Sequence, residues 1–432
     1  MTTVVIADTR AGIEPALDEV FAAFGGVGGA IPADGRPVYV KPNAVHLTPY
    51  AHTDPAVLDA LLAYLHDRGY RRLAVMESCT GGNFTRLVFH VIGYDRICRR
   101  YGARAIYLDE GPTLEVALRD GSRAHVSKHL HDEVVRRGDG AFYLSLPKLK
   151  THSMTTVTLG VKNQQAFPVH GDRMAYHNHD TLHLRLAALY DLVRPDFCIV
   201  EGLTATAHGH FPLRAHLGEQ LVPVDVLVGG ADTLAVDVVA ARLLGYSIDE
   251  VEHLRLCAGW GLGEGDLDRI DVRGARLDRL ATRVPHTLLR RFHPGVRWVV
   301  GRQKACAEGC RGNSEALQEM FYGDYPQARG GWTLMCGSGF EDGDLDDLPG
   351  DLLVVGPCAC SEVGDALRRR YPGRRIYLVP EHNDLMAITR CQARLMGVRP
   401  LDMVPANPLV AVWTLLQARL HGLNARVPPA FG

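Results

Sequence analysis

Lysine is scarce in this sequence of 432 residues, which contains six lysines against 41 arginines. A bias towards arginine has no cost wherever a site needs only a solvated cation. Each remaining lysine is therefore a candidate for a site that requires a compact amine whose pKa can shift. Three of the six, Lys148, Lys150 and Lys162, lie within 15 residues of one another. The alternative is that they are surface residues flanking a strand.

The sequence also lacks a long apolar run and a strong net charge. No apolar segment approaches the roughly 20 residues of a membrane-spanning helix. The formal net charge of −2 provides no general basic field for nucleic acid or for an anionic membrane. The segment MTTVVIADTR has no basic region and no long apolar stretch of the kind found in signal peptides. We therefore predict a cytoplasmic enzyme with a small-molecule substrate and with neither a membrane nor a nucleic-acid partner.

Runs of β-branched residues alternate with amphipathic helical stretches along most of the chain. The segments VVIAD, PVYVKPN and RLAVMES are predicted strands, and DPAVLDALLAYLHDRG is a predicted helix between two of them. The pattern starts again after the segment RVPHTLLRRFHPG, with WVVG, WTLMCG and DLLVVG as strands. Such alternation is typical of parallel sheets covered by helices. The sequence predicts two α/β domains with mainly parallel sheets, at residues 1–285 and 296–432.

The clustered lysines lie at the end of a predicted strand, AFYLSLPKLK. Lys148 and Lys150 are two residues apart, so both would point to one face of that strand. Its carboxyl end leads into THSMTTVTLGVKN, and α/β sheets bind ligands at such ends. Histidines, which titrate near neutral pH, follow in this segment and in YHNHD. The predicted catalytic residues are Lys162, His152, His177 and His179, and the predicted substrate-binding residues are Lys41, Asn43, Lys148, Lys150 and Asn163.

Other motifs give weaker predictions. Asp232 is expected to cap a helix, and Asp237 is expected to be a charge on the face of that helix. The sequence HGH at residues 208–210 is interpreted either as part of a site or as a solvated loop. These residues are not included in the predicted site.

Six of the ten cysteines lie in the last third of the chain. Thiolates at strand ends and at a helix N-terminus are able to hold an iron–sulfur cluster or zinc. The spacing contains no C-x2-C pair, so buried cysteines and catalytic thiols remain as alternatives. Lys304 next to Cys306 would favour the thiolate form. The predicted metal ligands are Cys306, Cys310, Cys336, Cys358 and Cys360, with Cys360 as the alternative fourth ligand.

Three motifs between about residues 37 and 246 resemble the DUF362 family. They are KPN, LPKLKTHSMTTVTLGVKN and GADTLAVDVVAARLLG. The resemblance implies an iron–sulfur association, because members of the family commonly carry an appended ferredoxin-like module. Here the last third of the chain has CAEGC, MCG and GPCAC in place of a ferredoxin signature.

A second likeness concerns the order of histidines around Lys162. His152, then Gly160-Val161-Lys162, then YHNH is similar to the centre of the LarA-like nickel-pincer racemases. That similarity implies a lysine that tethers a nickel-carrying pincer nucleotide, with histidines as metal ligand and as proton-transfer bases. It also implies two α/β domains that enclose a cleft. The group usually has two adjacent glycines where this chain has Leu159-Gly160.

These observations lead to three hypotheses on function. The preferred one is an oxidoreductase that uses a 4Fe-4S cluster, acts on a small and anionic organic substrate between the domains, and receives electrons from a donor protein. The second is a LarA-like racemase or epimerase with a lysine-tethered metal cofactor and hydride transfer. The third is a non-catalytic carrier of a cluster, of zinc or of electrons. It would have an exposed cysteine site and no enclosed cleft.

Overall fold

A computed structural model describes residues 1–403 and 406–427 of the chain. Strands in this part alternate with helices, which confirms the predicted mixed α/β class. The strands are β1 (Thr2–Asp8), β2 (Val38–Pro42), β3 (Leu73–Glu77), β4 (Arg104–Tyr107), β5 (Thr113–Ala117), β6 (Arg123–Ser127), β7 (Phe142–Leu146), β8 (Lys148–His152), β9 (Thr156–Val157), β10 (Phe197–Thr206), β11 (Leu221–Gly230), β12 (Ile270–Gly274), β13 (Val296–Val300), β14 (Trp332–Cys336), β15 (Leu352–Val355) and β16 (Ile376–Val379).

The helices cover both faces of the sheets, and several are a single turn long. They are α1 (Ile13–Ala22), α2 (Val27–Ala30), α3 (Pro55–Asp67), α4 (Thr85–Ile92), α5 (Tyr94–Arg100), α6 (Lys128–Leu130), α7 (Leu159–Asn163), α8 (His170–Ala175), α9 (Leu182–Leu192), α10 (Leu217–Gln220), α11 (Thr233–Leu243), α12 (Glu252–Gly259), α13 (Leu277–Leu280), α14 (Cys310–Asp324), α15 (Pro357–Arg370), α16 (Leu385–Met396) and α17 (Pro408–Leu420). Among the described helices, none is both long and apolar enough to cross a bilayer.

The larger sheet has ten strands and uses residues from the first two-thirds of the chain. Its main order is β12-β1-β11-β10-β7-β2-β3-β4, with β8 and β9 attached beside β10. Most neighbours are parallel, and β11 runs antiparallel to both β1 and β10. The central strands β2, β3 and β7 are buried along their whole length, as expected for a sheet that is covered on both faces.

A proline separates β7 from β8 and gives the lysine segment a strand of its own. The first part of β10 pairs with β7 at Phe197 and Cys198, and its later part pairs with β8 from Glu201 onwards. Pro147 lies between them, and because it has no N–H it cannot donate to a neighbouring strand. Its carbonyl oxygen still accepts from the N–H of Glu201 at 2.8 Å. As a result β8 continues beyond the edge of β7, on the side where β2 and β3 end.

The second sheet is smaller and wholly parallel, with the order β13-β14-β15-β16. Helices α14 and α16 pack on one of its faces, where Phe321 and Ile388 belong to a common core with Leu334. Helix α15 packs on the other face through Val363 and Leu367. This arrangement confirms mainly parallel sheets, and it places α14 and α16 towards the carboxyl edge of the larger sheet.

Candidate functional site

A cavity of about 760 Å³ lies between the carboxyl ends of the larger sheet and the helices α14 and α16. The sheet side is polar and contributes side chains that follow β2, β3 and β8. The helix side is largely apolar. The titratable and amide side chains on the sheet side are Asn43, His46, Glu77, Asn83, Lys150, His152, Lys162, Asn163, Gln165, Arg173, His177 and His210. The size lies within the range of small-molecule sites, roughly 300–1,000 Å³.

Helix α7 carries Lys162 into this cavity. Asp237 of α11 accepts hydrogen bonds from the N–H groups of Gly160 and Val161, each at 2.7 Å. These two N–H groups lie in the first turn of a helix, where they have no partner within the helix itself. A Cβ atom on Gly160 would lie only 2.6 Å from Cγ2 of Thr233, so glycine permits α7 to pack closely on α11. Asp237 is therefore a buried support for α7, which corrects the prediction of a charge on a helix face.

Leu159 has a backbone conformation that is unusual for its residue type. Its φ is +50°, in the left-handed region that glycine adopts most readily. The chain therefore has a glycine-like backbone with a leucine side chain at this position. That side chain is fully buried in the core on this side of the sheet. Packing of Leu159 stabilises a turn that would otherwise favour glycine.

Lys162 is a buried amine without a counter-ion. Its side chain lines the cavity, and within the described residues no hydrogen bond or ion pair involves its Nζ atom. Burial is the main cause that lowers the pKa of Lys162 to about 7, and the nearby Arg173 guanidinium contributes in the same direction. Arg173 is itself fixed by the carbonyl groups of Cys79 at 2.8 Å and Ala166 at 2.9 Å. A substantial fraction of Lys162 is thus uncharged at neutral pH.

His152 and His210 form a stacked pair in the cavity wall. Their ring centroids are 3.9 Å apart and their planes differ by 1°. His152 Nδ1 accepts from the N–H of Met154 at 3.1 Å, and His210 Nδ1 is buried with no hydrogen-bond partner in the described part of the chain. Burial, together with the partner imidazole, lowers the pKa of His152 well below its usual value. HGH is therefore part of the site at His210, although the sequence left a solvated loop as the alternative.

His177 also reaches the cavity, whereas His179 does not. The Nδ1 of His177 donates to the carbonyl oxygen of Glu308, which leaves Nε2 as the acceptor. Burial lowers the pKa of His177 to about 3, so its imidazole is neutral. His179 is 70% exposed and forms an ion pair with the Glu308 side chain at 3.1 Å. The structure thus brings Lys162, His152 and His177 together and leaves His179 at the surface.

The five predicted substrate-binding residues divide into two groups. Lys41 and Lys148 are buried in ion pairs, with Glu77 at 3.0 Å and with Glu201 at 2.9 Å, and neither lines this cavity. Lys150 does line it, and its amine donates to Asn43 Oδ1 at 3.1 Å and to the Ala51 carbonyl at 2.5 Å. The remaining two, Asn43 and Asn163, also line the cavity. Asn163 Oδ1 accepts from the Lys41 amine at 3.0 Å, so Lys41 holds the Asn163 side chain in place from behind the cavity wall.

The predicted cysteine ligands lie behind the cavity, on strand β14, on helices α14 and α15, and in the loop before α14. Burial raises the pKa of Cys310 to about 11, and the neighbouring thiols of Cys306 and Cys358 raise it as well. Cys336 is also near, because Cys310 and Cys306 both raise its pKa beyond the main effect of burial. Cys360 points elsewhere, since its thiol donates to the Val354 carbonyl at 3.4 Å. None of these thiols is among the residues that line the cavity.

A metal-binding arrangement is not preassembled in the described residues. They contain no group of three or more His, Cys, Asp or Glu side chains at metal-binding separations. Lys304, which the sequence placed beside a thiolate, forms an exposed ion pair with Asp180 at 3.0 Å. The Cys310 thiol accepts from the N–H of Asn383 at 3.3 Å and lies 3.8 Å from His382 Nδ1. Cys306, Cys310 and Cys358 are therefore neighbours without being a formed site.

In a comparison with known protein families, residues 38–242 match the family described as a domain of unknown function, DUF362. This match supports the DUF362 family, which the motifs KPN and LPKLKTHSMTTVTLGVKN indicated. The DUF362 segment includes Lys162, His152, His177 and His210, and thus the polar side of the cavity. A search of the curated proteins gave no match.

Proposed function

We propose that this protein is an enzyme that transfers hydrogen reversibly at a carbon atom of an organic acid, as racemases and epimerases do, with Lys162 as a point of covalent attachment. One observation carries the proposal. The Lys162 amine lies in the cavity wall with no partner in the described residues and with a pKa of about 7. An uncharged amine is the nucleophilic form of lysine, and desolvation is a common way to produce it.

The neighbours of Lys162 fit this role. Neutral His152 and His177 line the same cavity, and each has one ring nitrogen fixed by the backbone, through Met154 N–H and the Glu308 carbonyl. A fixed tautomer leaves the second nitrogen of each ring in a defined state for proton transfer. Each neutral imidazole is able to accept a proton that the substrate releases.

The residues present also fit a tethered cofactor of the nickel-pincer type. Lys162 would hold the nucleotide through its amine, and His177 or His152 would serve as a metal ligand. Since no group of three protein ligands exists in the described residues, the tethered group would have to provide the other donors. The cofactor would supply a reversible acceptor for hydride. The chain itself would orient the substrate, exclude water and move protons at the two imidazoles.

The first test is an intact-mass measurement on protein purified without oxygen. We expect either an addition on Lys162 as isolated, or an addition trapped when a small 2-oxo acid and borohydride are supplied. In the second case the amine adds to the carbonyl carbon with loss of water, and borohydride reduces the imine. Lys162→Arg should abolish the addition, and Lys128→Arg, at an exposed position, should retain it. The absence of any Lys162 adduct under both conditions would refute the proposal.

A second candidate is the iron–sulfur-dependent oxidoreductase, which the position of the thiols favours. Cys306, Cys310 and Cys358 are neighbours, and the loop between the first two contacts His177 through Glu308. A cluster held there would lie behind a residue that lines the cavity and would receive electrons from a donor protein. The enclosed cavity favours both enzyme hypotheses over a non-catalytic carrier.

Metal analysis distinguishes this candidate from the first. Under anaerobic reconstitution with iron and sulfide, an iron–sulfur protein would show a broad absorption band near 400 nm and stoichiometric iron and sulfide. Cys306→Ala/Cys310→Ala should lose both, whereas Cys257→Ala, which removes a buried thiol of helix α12, should keep them. Failure of the wild type to bind iron would exclude the candidate without affecting the Lys162 test.

A further inference from the structure

The apolar part of the cavity wall is rich in methionine, which comes from both sides of the cavity. The sequence contains nine methionines, and five of them line this one cavity. They are Met154, Met174, Met320, Met386 and Met403. Phe211, Leu317 and Val398 extend the same apolar wall. Methionine side chains are unbranched and polarizable, so they adapt to apolar ligands of irregular shape.

The rim of the cavity carries two arginines without acidic partners. Arg390 and Arg394 are four residues apart on α16, so they lie on the same side of the helix. Both are exposed and both line the cavity, which places them at its opening. In the described part of the chain no carboxylate lies within ion-pair distance of either guanidinium. Their neighbour Arg399 also lines the cavity, and it forms an ion pair with Asp402 at 2.8 Å.

The charges that line the cavity are almost all positive. Among the described residues, Glu77 is the only carboxylate in the lining, and it is paired with Lys41 at 3.0 Å. Guanidinium groups bind carboxylate and phosphate through paired N–H donors. Lys162, in contrast, lies deep in the wall. An anionic group is therefore favoured at the rim, and the apolar wall lines the same cavity as the reactive amine.

We propose that the substrate is an amphipathic organic anion, and this inference rests on the proposed function of the same site. Its carboxylate or phosphate binds Arg390 and Arg394, its apolar body packs on the methionine wall, and its reacting carbon reaches Lys162. A short polar acid fits less well, because it would leave most of the apolar wall in contact with water. Burial of apolar surface is the main favourable term available to a ligand in such a wall.

Calorimetric titration with four probes tests this assignment. Decanoate and decyl phosphate carry the two candidate head groups, decanol has the same chain without charge, and acetate has the charge without the chain. We expect at least one of the two decyl anions to bind at least tenfold more tightly than decanol and than acetate, and the comparison between them identifies the head group. The proposal would be overturned if decanol bound as tightly as both decyl anions, or if acetate bound as tightly as both decyl anions. This test uses the wild-type protein and does not depend on whether any variant folds.

Two double variants locate the anionic group. Arg390→Gln/Arg394→Gln should weaken binding of the preferred decyl anion at least tenfold and leave decanol unchanged. Arg368→Gln/Arg369→Gln removes the same charge from α15, away from the cavity, and should have no effect. Full affinity in the first variant, with an unchanged thermal unfolding profile, would contradict the assignment. Lys162→Met should lose the covalent adduct and keep decyl-anion binding, so failure of the adduct test and failure of the anion site are distinguishable.

Discussion

At the scale of single residues, the four buried lysines of the larger sheet show why Lys162 is different. Lys41 and Lys148 each have a buried glutamate partner, and Lys150 donates to two oxygen atoms. Burial lowers the pKa of Lys41 and of Lys150 as well, but the amines of these residues are fixed on oxygen atoms, whereas no such partner of Lys162 lies among the described residues. Without a partner, Lys162 is driven towards its neutral form by desolvation, which is the usual condition of a reactive amine.

The lowered pKa of Lys162 predicts a pH dependence of stability. The pKa of Lys162 in the folded protein, about 7, is below the ordinary lysine value of 10.5, so the unfolded chain binds more protons between these two pH values. The free energy of unfolding contributed by this residue is therefore greatest above pH 10.5 and decreases as the pH falls towards 7. The slope is at most about 1.4 kcal/mol per pH unit. Urea unfolding of wild type and Lys162→Met between pH 7 and 10 should differ by such a slope, and parallel curves would contradict it.

Residues that act through local sequence were predictable, and residues that act across the fold were not. Lys162, His152 and His177 stand in one motif next to a strand end, so their convergence was predicted. Asp237 supports α7 from 77 positions away, and nothing in its own helix indicates that contact. His210 is in a loop whose sequence is as compatible with solvent as with a site. The exposure of His179 could not be predicted either, because the sequence YHNHD does not show which of its histidines points into the protein.

At the scale of elements, the decisive arrangement is the short helix α7 held against α11. The sequence predicted that a strand leads into THSMTTVTLGVKN and assigned no helix to this segment, and residues 159–163 form one helical turn. Such a turn is too short to be stable by itself. The helix α7 is stabilised instead by two hydrogen bonds to Asp237 and by close packing on α11 at Gly160. The hairpin β5–β6 was also missed, because its strands are short and half exposed.

Removal of the Asp237 carboxylate should loosen α7 and misplace Lys162. Asp237→Asn retains one acceptor oxygen for two N–H donors, and an unsatisfied buried group costs about 1–3 kcal/mol. We expect a lower free energy of unfolding and an at least tenfold slower formation of the Lys162 adduct. Asp232→Asn makes the same change at the N-cap of the same helix, where the carboxylate also accepts from two N–H groups, those of Ala235 and Glu264. It serves as the control, and an equal loss of adduct in both variants would argue against a positioning role for Asp237.

At the scale of the whole molecule, the cavity depends on two distant parts of the chain. The alternation of strands and helices predicted both parallel sheets, because it is a local pattern. Their mutual placement could not be predicted, since the apolar wall on α14 and α16 resembles any helix face that packs on a core. The methionines are an example, because their concentration around one cavity becomes visible only when the fold brings residues as distant as 154 and 403 to the lining of that cavity.

The most direct test of the central claim is the titration of Lys162 itself. With six lysines in the sequence, protein labelled with ¹³C at the lysine ε carbon gives few NMR signals, and Lys162→Arg identifies the one of interest. We predict that this signal titrates with a pKa of about 7 in the free protein. A Lys162 signal that remains that of an ammonium up to pH 10 would contradict the proposed role.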